Sequence, residues 1–282
     1  MADMSIFTRY SFPEYWSSAV AATRPKWLVV DGNWSETDLR TWINAGREYG
    51  AQVAFEPVSV AKSQRLFAAP TKNPHHGHGI GIYPDASITL ATPNQHELKA
   101  MYEAAKTGGY FDSPGWFEII DAFGMRGARD RFVRLTSVAM TDKGIPVQTV
   151  NLLPYIPTII TKLGSDGALL TAVLGRDDAR LKDPKEAPYI LTRSNNNHPQ
   201  VGGVYMRLFP AAEKVQNIVS VNGVGDTFLG VLVAGLAQGG KVVNLVDIAQ
   251  KAAVMSLKSR ESVNDELVGL KAELRAAVVA TS

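Results

Sequence analysis

Residues 219–232 read V-S-V-N-G-V-G-D-T-F-L-G-V-L. A β-branched run enters Gly223-Val224-Gly225, and Asp226 opens an apolar helix. The glycines allow a tight turn with successive N–H groups pointing one way. The helix start adds about half a positive charge. Together they form a cradle for phosphate, or for charge developing on a phosphoryl group. A carboxylate at this point can take a proton from an attacking alcohol. The plainer alternative is that Asp226 only caps the helix.

Working outward, strand and helix patterns alternate. Strands are expected over residues 26–31, 51–56, 87–91, 158–163, 168–173, 204–209 and 214–221. Helices are expected over 35–49, 60–67, 94–106, 126–139, 226–237, 245–257 and 265–279. Ser35 reads as an N-cap with Asp38 three residues on, and Gly50 as the stop. Residues 69–83 read as a Pro/His/Gly loop, and 176–200 as an irregular insertion. Such alternation gives an α/β fold with a mainly parallel sheet covered by helices. Ligands then lie at the carboxyl ends of the strands.

Two further motifs follow strands. In Thr92-Pro93-Asn94-Gln95-His96-Glu97, Asn94 and Glu97 have capping-box spacing. The same amide and carboxylate can hold Mg²⁺ through water. Thr161-Lys162-Leu163-Gly164-Ser165-Asp166-Gly167 reads on its own as a turn between strands.

Composition narrows the partners. The chain has 282 residues, 45% apolar and 20% charged, with a net charge of +2 and no Cys. That is a globular composition with no thiol chemistry and no basic footprint for nucleic acid. No apolar run approaches the ~20 residues of a membrane span. The first residues carry no apolar signal region, so a cytoplasmic protein is expected. Residues 235–242 nearly match a phosphate loop but follow a helix and end in Val242, which favours a helix C-cap. His75, His76 and His78 lack a carboxylate partner for a metal, and Gly77-x-Gly79-x-Gly81 lacks the surrounding strand–helix–strand unit of a dinucleotide site.

In this order, the three motifs resemble the ribokinase-like (PfkB) carbohydrate kinase family. The carriers are Asn222–Phe228, Asn94–Glu97 and Leu163–Gly167, with Ala249–Val254 similar to the family's Ala-rich helix beside the adenine. Asp31-Gly32-Asn33 and residues 55–62 (F-E-P-V-S-V-A-K) resemble the pseudouridine kinase branch. The similarity spans about residues 26–265. It implies a three-layer α/β/α fold, with residues 1–25 as an extension and 26–282 as the kinase domain. It also implies transfer of the γ-phosphate of ATP, with Mg²⁺, to a hydroxyl of a sugar or nucleoside such as pseudouridine. Asp226 would be the base, and the N–H groups of Gly223, Val224 and Gly225 would stabilise the phosphoryl group. Asn94 and Glu97 would organise Mg²⁺. Lys162, Gly164 and Gly167 would line the nucleotide, with Gln250 near its base.

Two departures stand out. Val224 occupies a position where the family commonly has Ala. The family's N-terminal strands, di-glycine motif, lid and most sugar-binding residues have no counterpart before residue 26. The chain is therefore expected to form homo-oligomers or to associate with a complementary N-terminal part. The alternative function is a non-catalytic nucleotide-binding or assembly protein derived from such a kinase.

Overall fold

The computed structural model describes residues 5–68, 79–194 and 198–279. The discounted histidines at 75, 76 and 78 and most of the 69–83 loop lie outside them. The chain divides into two compact units. One holds the residues up to Thr161 together with Leu169–Arg207; the other holds Lys162–Ala168 and the residues from Leu208 on.

The first unit is built around a sheet. Its strands are β1 (Trp27–Asp31), β2 (Gln52–Glu56), β3 (Leu90–Ala91), β4 (Thr158–Lys162), β5 (Ala168–Gly175), β6 (Ile190–Arg193) and β7 (Val201–Phe209). They form one seven-stranded sheet in the order β1-β2-β3-β4-β5-β7-β6. The first four strands pair in parallel, with Asp31 opposite Glu56, Phe55 opposite Ala91 and Ala91 opposite Ile159. The end residues Asp31 and Glu56 thus lie side by side. Strand β6 runs antiparallel to β7, with an irregularity between Ile190 and Thr192. From Val53 on, β2 is buried throughout, as are all but the last residue of β5. Continuous apolar runs of this kind suit a sheet covered on both faces.

The helices α1 (Ile6–Arg9), α2 (Pro13–Thr23), α3 (Glu36–Glu48), α4 (Val60–Ser63) and α5 (Gln95–Thr107) lie in this unit. So do α6 (Pro114–Ala122), α7 (Ala128–Leu135), α8 (Val138–Asp142) and α9 (Ile145–Leu152). Helix α3 starts as read: Ser35 Oγ accepts from Asp38 N at 3.1 Å. The carboxylate of Asp38 in turn accepts from Ser35 Oγ at 2.7 Å and from Ser11 Oγ. Helix α2 packs on α3 through tryptophans. Trp16 stacks on Trp42 with centroids 5.1 Å apart and meets Trp34 edge-on at 4.8 Å.

Several expectations need correction. The helix expected over 126–139 is two, because Ser137 turns its hydroxyl to Met140 N and restarts the chain as α8. The strand expected over 87–91 is reduced to Leu90–Ala91. The irregular insertion contains β6. The segment 214–221 is not a strand, although Val215, Ile218, Val219 and Val221 gave it a β-branched signal. Its one mainchain tie of normal length is Val219 N to Leu257 O at 2.8 Å, and Ile218, Val219 and Val221 are exposed.

The second unit is mainly helical, with α10 (Val224–Ala237), α11 (Val242–Leu257) and α12 (Lys271–Val279). Phe228, Leu229, Leu232 and Val233 of α10 are buried, and so are Leu245, Val246, Ile248, Ala249 and Ala252 of α11. A buried hydroxyl pair, Ser256 Oγ to Thr227 Oγ1 at 2.9 Å, joins the two helices. Residues 235–242 span the end of α10 and the turn at 238–241, with Gln238 as the C-cap and Gly239 at φ 93°, so the helix-end reading of this segment holds. Among the described residues no helix is long and apolar enough to cross a membrane.

Candidate active site

Helix α10 begins earlier than expected. Gly223, at φ 72°, is its N-cap, and Val224, Gly225 and Asp226 form the first turn. A Cβ at Gly223 would run into the mainchain of Ser262, so the turn requires glycine twice over, for conformation and for space. Gly223 has no side chain with which to cap the helix. The first N–H groups of the helix therefore keep their capacity to bind an outside acceptor. Asp226 is not the cap. It stands in the first turn, exposed, and its carboxylate takes no hydrogen bond or ion pair among the described residues.

Beside this turn lies a cavity of about 290 Å³ built from the second unit. Its wall brings together five of the expected residues: Lys162, Gly164, Gly167, Val224 and Gln250. The turn that contributes Gly164 and Gly167 is closed by Leu163 N to Gly167 O at 2.8 Å. Gln250 is buried, and its Nε2 donates to Pro210 O at 3.0 Å, which pins the start of the 210–220 segment to α11. That segment supplies Val215 and Ile218 to the wall. Glu213 also lines the cavity and is held by Lys258 Nζ at 2.6 and 2.7 Å from its two oxygens. The α11 stripe Gln250, Ala253, Val254 and Leu257 faces the cavity. A mostly apolar slot with a few polar atoms at its edges is suited to a flat heteroaromatic ring.

Asn94 and Glu97 belong to the first unit, at the start of α5. They form a complete capping box. Asn94 Oδ1 accepts from His96 N and Glu97 N at 2.9 and 3.0 Å, and Glu97 Oε2 accepts from Asn94 N at 2.8 Å. Thr92, just before them, donates to the buried Glu56 at 2.6 Å. Among the described residues no three His, Cys, Asp or Glu side chains gather as a metal cage. One buried carboxylate and one amide at a strand's end fit a magnesium ion that keeps its own waters and is reached through them.

Missing from the sequence reading were Glu213, Val215 and Ile218. The only available signal was the i, i+3, i+4, i+7 spacing of 250, 253, 254 and 257, which marks the facing helix stripe.

Comparison with known proteins agrees with this architecture. Residues 201–267 match the family model described as pfkB family carbohydrate kinase. The chain superposes on ribokinase of Arabidopsis thaliana, solved with ribose and ATP, with a TM-score of 0.51 at 12% identity, covering 93% of this chain and 58% of that one. For phosphofructokinase-2 of Escherichia coli the TM-score is 0.53 at 13% identity, covering 95% and 62%. The fold is ribokinase-like, and residues 201–267 are similar to the pfkB carbohydrate kinases. Over most of its length the sequence is also similar to pseudouridine enzymes. It is 30% identical over 274 residues to a pseudouridine-metabolizing bifunctional protein of Schizosaccharomyces pombe, covering 94% of this chain and 32% of that protein. It is 25% identical over 258 residues to the pseudouridine kinase of Arabidopsis thaliana, covering 85% and 58%. The chain thus spans less than two thirds of the length of each of these relatives.

Proposed function

We propose that this chain carries the nucleotide-binding and phosphoryl-transferring part of an ATP-dependent kinase for a sugar or nucleoside, with pseudouridine as the first acceptor to test. The observation that carries the reading is the first turn of α10. Orphan N–H groups and an unpartnered carboxylate stand there, and Val224 of the same turn lines an apolar cavity. In this reading the base of ATP enters between the 210–220 segment and the Gln250–Leu257 stripe. Lys162 and the Gly164–Gly167 turn border the nucleotide. The amides of Gly223, Val224 and Gly225 receive the negative charge of the phosphoryl group as it moves. Asp226 accepts the proton of the attacking hydroxyl. Bound Mg²⁺ would neutralise charge on the phosphate oxygens, and Asn94 and Glu97 would orient its waters. The Val224 side chain lines the cavity, while its amide is a backbone group that valine supplies as well as alanine would.

The test is a calorimetric titration with MgATP beside steady-state turnover with pseudouridine, ribose and no acceptor. The expected result is MgATP binding, acceptor-dependent turnover, and an Asp226→Asn variant that binds ATP normally but has lost transfer by about 10²–10⁴-fold. Equal turnover in that variant would remove Asp226 as the base. Absence of nucleotide binding would remove the whole reading.

A further inference from the structure

Two motifs play no part in that proposal: Asp31-Gly32-Asn33 and residues 55–62. In the first unit they meet at the carboxyl ends of β1 and β2. Asp31 Oδ1 accepts from Asn33 N at 2.8 Å, and Asp31 Oδ2 accepts from Asn33 Nδ2 at 3.1 Å. With its amide nitrogen committed to Asp31, Asn33 presents Oδ1 to Lys62, whose Nζ donates to it at 2.5 Å. Gly32 N donates to Glu56 O at 2.9 Å, and a Cβ at Gly32 would stand 2.6 Å from Pro57 O. The two loops therefore touch mainchain to mainchain. Val58, between them and Lys62, is held at φ 68°, a region that β-branched residues avoid. Strain of this kind persists where the surrounding structure enforces it, and it concentrates at functional sites.

Holding the loop does not require Lys62. Arg65 already does so, with one nitrogen donating to the carbonyls of Gly32, Asn33 and Trp34 at 2.9, 2.9 and 3.0 Å. Lys62 is half-buried, and its ammonium has one neutral acceptor and no carboxylate among the described residues. Its aim is set by the Asp31–Asn33 relay, and two of its three N–H groups remain to be used. It stands at the ligand-binding end of a parallel sheet. The geometry points to Lys62 as an oxyanion-binding residue, taking a phosphate-type group, with Asn33 and Asp31 as its positioning residues. This goes beyond the kinase reading and does not depend on it.

The phosphate group has two possible sources, a nucleotide polyphosphate or a phosphorylated sugar. The probes are therefore ATP, ribose 5-phosphate and inorganic phosphate, each added to the full chain. The first measurement is lysine acylation of the unmodified protein, read by mass spectrometry. Lys62 is expected to be protected at least about fivefold while exposed Lys143 is unchanged. The second is calorimetry with the probe that protects. Lys62→Met is expected to weaken binding about tenfold, the size of a lost charged hydrogen bond. Lys62→Arg should stay within about threefold, and Asn33→Ala should fall between. Protection by ATP alone supports a nucleotide source; protection by ribose 5-phosphate and phosphate supports a sugar source. Absence of protection by every probe overturns the proposal, as does protection with affinity unchanged in Lys62→Met. A protected Lys62 in a chain without transfer activity would sink the kinase reading alone. Acceptor-dependent turnover with Lys62 unprotected would sink this proposal alone.

Discussion

Replacing Gly223 by alanine tests the cradle at its weakest point. Gly223 is left-handed, and the added Cβ meets the oxygen, carbon and Cα of Ser262, all mainchain atoms. No flexible side chain can move aside. The left-handed conformation costs an alanine about 1–2 kcal/mol. Forcing a carbon into packed mainchain costs about 1–3 kcal/mol more. The expected loss is thus about 2–5 kcal/mol in the second unit, with the amides of 223–225 turned from their common direction. Gly239 provides the control. It is also left-handed, at φ 93°, but a Cβ there meets nothing within 4 Å. Gly239→Ala should therefore lose only the conformational part, about 1–2 kcal/mol. Urea unfolding followed by far-ultraviolet circular dichroism gives both values, and phosphate titration reports on the amides. The reasoning is refuted if the two variants are equally stable, or if Gly223→Ala binds phosphate as the parent does.

Asn94→Ala should cost about 1 kcal/mol through loss of the cap. Asn94→Ser should restore stability, and turnover that stays low in the serine variant would assign the amide a part in the chemistry. Trp16→Ala should cost about 3–5 kcal/mol, because it opens the Trp16–Trp34–Trp42 packing between α2 and α3; thermal unfolding measures it. At high pH, burial pushes the Tyr155 hydroxyl from its ordinary 10.0 up to about 12, and it raises Tyr110 and Tyr205 as well. Above pH 10 the unfolded chain releases protons that the native tyrosines keep. Stability should therefore fall as pH rises from about 10 to 12, in step with delayed tyrosine ionisation seen by ultraviolet absorbance. A flat stability profile across that range would contradict the burial.

The legible parts of the fold are those governed by local chemistry. Ser35 with Asp38, and Asn94 with Glu97, announce helix starts because the capping side chains bond within their own turn. The apolar runs at 27–31 and 52–56 announce strands through their aromatic and β-branched side chains; β2 is buried from Val53 on, whereas Val29 of β1 is exposed. What failed depends on distant partners. Residues 214–221 have strand-forming side chains but lie against the end of α11 instead of a strand. Residues 190–193 form β6 because β7 pairs with them, and their short run Ile190-Leu191-Thr192 is the one local sign within a polar segment. Helix α2 carries a local signal as well: Pro13 in its first turn, with Trp16 and Val20 four apart on its buried side. At the candidate site, the turns after strands were readable, and five expected residues share one cavity. Its far wall was not readable, because Glu213, Val215 and Ile218 belong to a segment without regular structure.

The aromatic residues are unevenly shared between the two units. All five tryptophans, Trp16, Trp27, Trp34, Trp42 and Trp116, fall in the first unit, as do all nine tyrosines. The second unit has only Phe209 and Phe228. Intrinsic emission of this protein therefore reports on the sheet-bearing unit alone, while far-ultraviolet dichroism sees the helices of both. Melting curves recorded by the two methods on one sample will coincide only if the units unfold together. For the unit with the cavity, a tryptophan in place of Phe228, which lines it, would supply the missing chromophore at the spot where a nucleotide base is expected to stack.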